Sequence, residues 1–165
     1  MDKPIDQGIS LLDEAKIQAN VIVPILKALR KEIGVDRADR IVASALHNSL
    51  RSRYEEHGAQ TRGNPKDKWL AMSTEMFARI GGDIDVEWIS QDIASLSFNV
   101  TGCRYADFFR QLGEPDLGAV LLCELDNHVV AAAGPGVELA RTQTVMRGAT
   151  HCDFRYHMRE KSDVD

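Results

Sequence analysis

Cys103, Cys123 and Cys152 are the only cysteines of the chain, and all three fall in its last third. Asp126, His128, Arg141, His151, Asp153 and Arg155 lie among them, separated by hydrophobic stretches that could bring them together on folding. That stock of groups suits a thiol-centred or a metal-centred site. Cys103 follows Thr101-Gly102 at a predicted strand-to-helix junction. A thiol in the first turn of a helix meets unpaired backbone N–H groups, which favour its thiolate, and Arg104 beside it adds positive potential. Such a thiolate could attack an electrophilic carbon while the same N–H groups hold developing negative charge. A packed junction cysteine is the plain alternative.

Cys123 and Asp126 are three apart, hence on one face of a helix. The carboxylate could hold a substrate nitrogen, orient water or move a proton; otherwise Cys123 is core and Asp126 ends the helix. His128, five positions after Cys123, could supply a base, or be a surface or loop histidine. Cys152 points with the covered face of its strand, where it completes a site with the other two thiols or packs against Phe154. His151 and Asp153 then point the other way. Three thiolates with Asp126 would make a zinc set, although no Cys-x-x-Cys pair is present and the spacing is wide. Zinc or another divalent metal is thus an open alternative, and no other cofactor is indicated. Arg141, inside a predicted strand otherwise suited to packing, is the best anion clamp. Its partner is a substrate carboxylate or a structural acid such as Glu138 or Glu114. Arg155 is the second choice.

The elements that must position these groups follow from periodicity. Leu12, Ala15, Ala19, Ile22, Leu26, Leu29 and Ile33 form an apolar stripe on one helix face, which Pro24 should kink or divide. Gly34 stops that helix and Asp36 can cap the next. The second runs from about Arg37 to Glu56, with Ala38, Ile41, Val42, Ala45, Leu46 and Ser49 inward. A polar loop from Gly58 to Lys66 leads to a shorter helix carrying Trp69, Met72, Met76 and Phe77. After Gly81-Gly82 the period becomes two: Ile84, Val86 and Trp88, then Ala94, Leu96, Phe98 and Val100, read as adjoining antiparallel strands. A helix with Tyr105, Phe108, Phe109 and Leu112 follows Cys103. Gly113-Glu114-Pro115 breaks it, and a second helix carries Leu117, Val120, Leu121, Cys123 and Leu125. Two last strands, Val137 to Met146 and His151 to Met158, join around Gly148, with Cys152, Phe154, Tyr156 and Met158 on one face. Lys161 to Asp165 should fray. The expected fold class is α+β: an antiparallel four-stranded sheet covered by helices, with a helical N-terminal region. One domain, 1–165, is expected, with a helical region at 1–80 and a strand-strand-helix-helix-strand-strand unit at 83–158 carrying the site.

The bulk properties narrow the function classes. At 165 residues and 44% hydrophobic, the chain has material for an independent core and is not of disordered composition. A net charge of -5 favours solubility and gives no general attraction to phosphate backbones, so a nucleic-acid role is disfavoured. No apolar run is long enough to span a bilayer, and residues 1–10 lack the pattern of a secretory signal. No membrane partner and a cytoplasmic address with reduced thiols are the resulting expectations. The apolar N-terminal helices make a homo-oligomer reasonable.

The motifs Cys103-Arg104-Tyr105-Ala106-Asp107-Phe108-Phe109, Leu112-Gly113-Glu114, Leu122-Cys123-Glu124-Leu125-Asp126, Arg141-Thr142-Gln143-Thr144 and Gly148 to Tyr156 carry a resemblance. They are similar to those of the L-2-amino-thiazoline-4-carboxylic acid hydrolase family, most closely from Thr101 to Tyr156. The resemblance implies hydrolysis of a small cyclic amidine or isothiourea: water opens an aminothiazoline carboxylate to N-carbamoyl-cysteine. It implies Cys103, Cys123, Cys152 and Asp126 as catalytic candidates, by a cysteine nucleophile or by carboxylate-activated water. Arg141, Tyr105, Phe154 and His128 are the corresponding substrate-binding candidates. The second half is also distantly similar to vinyl-reductase-type small-molecule-binding domains, which implies the alternative of a non-enzymatic ligand sensor, with metal as a stabiliser.

Overall fold

The computed structural model describes residues 8–92 and 94–159, so the expected fraying of Lys161 to Asp165 lies outside the described residues. Helix α1 (Leu11–Ile33) starts where the Ser10 hydroxyl accepts a hydrogen bond from the Asp13 N–H, satisfying one of the free donors of the first turn. Pro24 does not divide this helix. It sits on the exposed side, where water can reach the carbonyl left unbonded by its missing N–H. Gly34, at a φ of 86° that only glycine adopts cheaply, ends α1 and directly precedes α2 (Val35–Gln60). Asp36 therefore lies within the first turn of α2 and is not its cap.

The inward face of α2 differs from the expected one by a roll about its axis. Ala38, Val42, Leu46, Leu50, Tyr54 and Gly58 follow one another at steps of four toward the core, while Ile41, Ala45 and Ser49 are exposed. Gly58 explains the roll: a Cβ there would collide with the backbone carbonyl of Ala132, so α2 meets a later helix at the distance that glycine permits. Because α2 continues to Gln60, the following loop is shorter than Gly58–Lys66. Helix α3 (Pro65–Ile80) opens with a capping box between Asn64 and Asp67 and buries Trp69, Met72 and Met76.

Strands β1 (Ile84–Gln91), β2 (Ser95–Cys103), β3 (Val137–Ala140) and β4 (Cys152–Met158) form one antiparallel sheet in the order β1-β2-β4-β3. Between β2 and β3 lie α4 (Arg104–Gln111), the short α5 (Pro115–Gly118), a π-helical turn (Ala119–Cys123) and α6 (Leu125–Ala133). Phe98 pairs with Phe154 and Val100 with Cys152 on the covered face, and the two phenyl rings stack with centroids 4.8 Å apart. The α+β class, the four-stranded antiparallel sheet and the helical N-terminal region are all as expected.

β3 ends at Ala140, well short of Met146. The cause is Asp153 on the neighbouring strand. Its carboxylate accepts hydrogen bonds from the Thr142 and Gln143 N–H groups, both at 2.9 Å, and from the Thr142 hydroxyl at 2.6 Å. A carboxylate that takes those donors leaves them nothing for a ladder, so the chain departs from the sheet and closes a 3₁₀ turn at Val145–Arg147. Arg141 is consequently the first residue off the strand. No helix among the described residues is long and apolar enough to cross a membrane.

Candidate active site

A cavity of about 90 Å³ lies between the covered face of the sheet and the helices, lined in part by Cys103, Tyr105, Cys123, Asp126, Arg141, Cys152 and Phe154. That volume holds about six water molecules, the scale of a small organic ligand. Seven of the eight residues singled out from sequence therefore share one space, supplied by β2, α4, the π-helical turn, α6, the β3–β4 connection and β4.

The polar centre is an ion pair. Arg141 donates from Nη1 to Asp126 Oδ2 at 3.1 Å and from Nη2 to the Cys123 carbonyl at 2.6 Å. Its guanidinium carbon stands 5.1 Å from the centre of the Phe154 ring, a cation–π contact. The second Asp126 oxygen accepts from the Tyr156 hydroxyl at 3.3 Å. Both charged side chains are largely removed from water, 8% exposed for Arg141 and 14% for Asp126. Burial pushes the Asp126 carboxyl up to about 6, with Arg141 and Tyr156 opposing the rise. A carboxyl that titrates near neutrality beside a cavity can both accept and return a proton.

The thiols behave differently from the sequence expectation. Cys103 is the N-cap of α4 and its sulfur accepts from the Ala106 N–H at 3.4 Å, as the junction predicted. Yet burial raises its pKa, outweighing that N–H. Arg104 does little for it, since that side chain is 67% exposed and pairs with Asp83 at 3.4 Å. Burial pushes Cys123 up to about 12 and raises Cys152, whose sulfur accepts from the Val145 N–H at 3.3 Å. All three thiols are free. Among the described residues no three His, Cys, Asp or Glu side chains stand close enough to hold a metal ion, so the zinc set of three thiolates with Asp126 is not assembled.

His128 does not line the cavity, which corrects its expected place as base or substrate contact. Two positions along a helix turn the side chain by about 200°, away from Asp126. Its ring packs against α2, 4.9 Å from His47 and 6.1 Å from Tyr54, and is 5% exposed. Burial, followed by His47, lowers its pKa.

Three features escaped the sequence reading. Tyr156 bonds Asp126; it shares the two-residue period of Cys152 and Phe154, which could have found it. The π-helical turn carries Cys123 into the cavity, closed by the Glu124 N–H donating to the Ala119 carbonyl at 3.1 Å. No local sequence signal marks it. Finally, the Tyr105 hydroxyl is buried without a hydrogen-bond partner among the described residues, an unused donor in the wall of the site.

A family model described as L-2-amino-thiazoline-4-carboxylic acid hydrolase matches residues 14–156. That stretch contains every residue lining the cavity except Leu11. No curated protein matches the chain.

Proposed function

Because this chain belongs to the L-2-amino-thiazoline-4-carboxylic acid hydrolase family, we propose that it opens a small cyclic amidine or isothiourea with Asp126 as its proton-transfer group. The reading is supported above all by the Asp126–Arg141 pair, two opposite charges held together at a cavity wall. An aminothiazoline carboxylate carries the same two charges: an amidinium-like N–C–N group and a carboxylate. On binding, each charge of the pair exchanges its internal partner for the substrate's opposite charge, so no unpaired charge is left buried. Arg141 takes the carboxylate and Asp126 faces the amidinium.

Water then adds to the ring carbon between nitrogen and sulfur. Asp126 takes one proton from that water as the carbon–oxygen bond forms. The carbon–sulfur bond breaks with its electron pair on sulfur, which receives the proton back from Asp126. The amidinium's extra proton leaves to solvent as the hydroxyl becomes the urea carbonyl of an N-carbamoyl product. Tyr105 lines the same cavity, and its buried hydroxyl has no hydrogen-bond partner among the described residues. The thiols, held neutral by burial, line the pocket as soft, polarisable surface for the ring sulfur.

A second reading gives the attack to Cys103, favoured by its sulfur lying 3.4 Å from the Ala106 N–H at the start of α4. The thiol must then lose its proton to Asp126 before attack, since burial disfavours a standing thiolate. Whichever group attacks, residues 8–159 act as one folded unit in this proposal, because Leu11 of α1 and Cys152 of β4 border the same cavity.

The test is incubation of purified protein with a panel of cyclic amidines and isothioureas, with mass detection of the gain of one water. Turnover lost in Asp126→Asn but kept in Cys103→Ala supports activated water. Loss in Cys103→Ala, with a covalent adduct on the native protein, supports the second reading. A panel with no member hydrated refutes both.

A further inference from the structure

The cavity is far more apolar than a small zwitterionic ring requires. Among the described residues, Asp126 and Arg141 are the only charged ones that line it. Across the sheet from them, β4 contributes Phe154, β2 contributes Phe98 and β1 contributes Ile84, while Met76, Phe77 and Ile80 close the same space from α3. Arg141 lies 5.1 Å from the Phe154 ring, which lies 4.8 Å from Phe98, which lies 6.3 Å from Phe77. The site is thus charged at the β3 side and becomes hydrocarbon toward β1 and α3. The side chains lining that far end are hydrocarbon or thioether, with the Cys103 thiol beside Ile84. A ring whose substituents are all polar satisfies the charged end and leaves the apolar end filled with water that has no polar partners.

We propose that the substrate of this protein is a cyclic isothiourea or amidine bearing an apolar ring substituent, which lies against Phe98, Phe77, Ile80 and Ile84. The inference rests on the functional reading above, since it places the amidine and carboxylate ends at Asp126 and Arg141. Each methylene moved from water into such a lobe favours binding by about fourfold, from roughly 0.8 kcal/mol per buried CH₂. A polar atom placed there loses its water without replacement. The lobe therefore selects by polarity as well as by size.

The experiment uses two matched series with hydrogen, ethyl, phenyl or hydroxymethyl at the ring carbon next to sulfur. One series is the 2-amino-thiazoline-4-carboxylates, followed for ring opening. The other is the aromatic 2-amino-thiazole-4-carboxylates, which are not opened, titrated by calorimetry. The expected result is binding at least tenfold tighter for ethyl and phenyl than for hydrogen or hydroxymethyl, with kcat/KM in the same order. Ile80→Thr should cut that advantage severalfold while the protein remains folded. Apolar preference in binding with no ring opening supports the lobe and refutes the hydrolase reading. Ring opening with equal or weaker binding of the apolar members refutes the lobe and leaves the hydrolase reading standing. Absence of binding by every member refutes both.

Discussion

Two of the arginine–carboxylate pairs among the described residues, Arg30–Glu114 and Arg141–Asp126, are built to opposite ends. Arg30 of α1 engages all three guanidinium nitrogens: Nη1 and Nη2 bond the two Glu114 oxygens at 2.7 and 2.9 Å, and Nε bonds Asp39 at 2.6 Å. The fork geometry is bidentate, which is the strong form of this contact, and it fastens α1, α2 and the α4–α5 corner together. Both carboxylates raise the pKa of Arg30, so its guanidinium is charged at any ordinary pH. Arg141 instead reaches Asp126 through a single nitrogen at 3.1 Å and gives its other bond to a backbone carbonyl. Burial leaves Asp126 titrating at about 6. One pair is saturated and closes a seam between helices. The other is under-bonded, poised in protonation and open to a cavity, which is how a pair looks when its partners are to be exchanged.

The contrast can be broken by exchanging charge for its neutral isostere in each pair. Asp126→Asn should lower kcat/KM by about 10³-fold, within the usual range for a lost general acid–base group. Its melting temperature should hold or rise, because burial penalises the charged carboxylate relative to the unfolded chain and asparagine mimics the uncharged form. Glu114→Gln should do the reverse. Arg30 is partly exposed and keeps Asp39, so the loss is that of charge-assisted hydrogen bonds, about 1.5–3 kcal/mol, which lowers the melting temperature by roughly 3–12 °C in a domain of this size. Activity per folded molecule at low temperature should be near that of the native protein. A Glu114→Gln variant that stays equally stable would dissolve the distinction.

The pH dependence of stability sharpens it. Asp126 has a folded pKa of about 6 against an ordinary 3.8, so the folded state holds that proton more firmly than the unfolded chain. Its contribution is complete below the ordinary value and is lost as pH rises through 6. The shift corresponds to about 3 kcal/mol. Urea midpoints of the native protein and Asp126→Asn should coincide near pH 3.5, and the variant should become the more stable by about that amount above pH 6.5. His128 has the opposite sign. Its folded pKa lies below 6.5, so the unfolded chain takes up the proton first and stability falls as pH drops below that value. His128→Leu should remove this loss, so that the variant's urea midpoint falls less than the native one as pH drops below 6.5. Ring opening should be unchanged in His128→Leu, because that side chain faces His47 and Tyr54 and not the cavity.

The same contrast explains what sequence could and could not reveal. Alternation in β2 and β4 placed Phe98, Cys152, Phe154 and Tyr156 on the covered face, because a two-residue period states the face directly. The junction at Cys103 was legible from Thr101-Gly102 and the helical spacing after it. The face of α2 was misjudged because its roll is set by Gly58 against Ala132, a contact far away in sequence. β3 was drawn too long for a similar reason: the residue that ends it, Asp153, sits on another strand. The thiol electrostatics also turned on packing. A helix N-terminus favours a thiolate, but local pattern does not say how much water the fold removes from the sulfur. His128 faces α2 because it lies within α6, two positions beyond Asp126, and sequence spacing from Cys123 does not state that face.

The central claim is that Asp126, ionised in the ground state beside Arg141, moves the proton in ring opening. The most direct measurement is the pH dependence of kcat/KM for a cyclic isothiourea that the native protein opens, from pH 4.5 to 8. The account predicts an acid limb falling tenfold per pH unit below about 6 and a plateau above it, since the ionised carboxylate is the active form. A profile flat through pH 6, or one that rises toward acid, would contradict it.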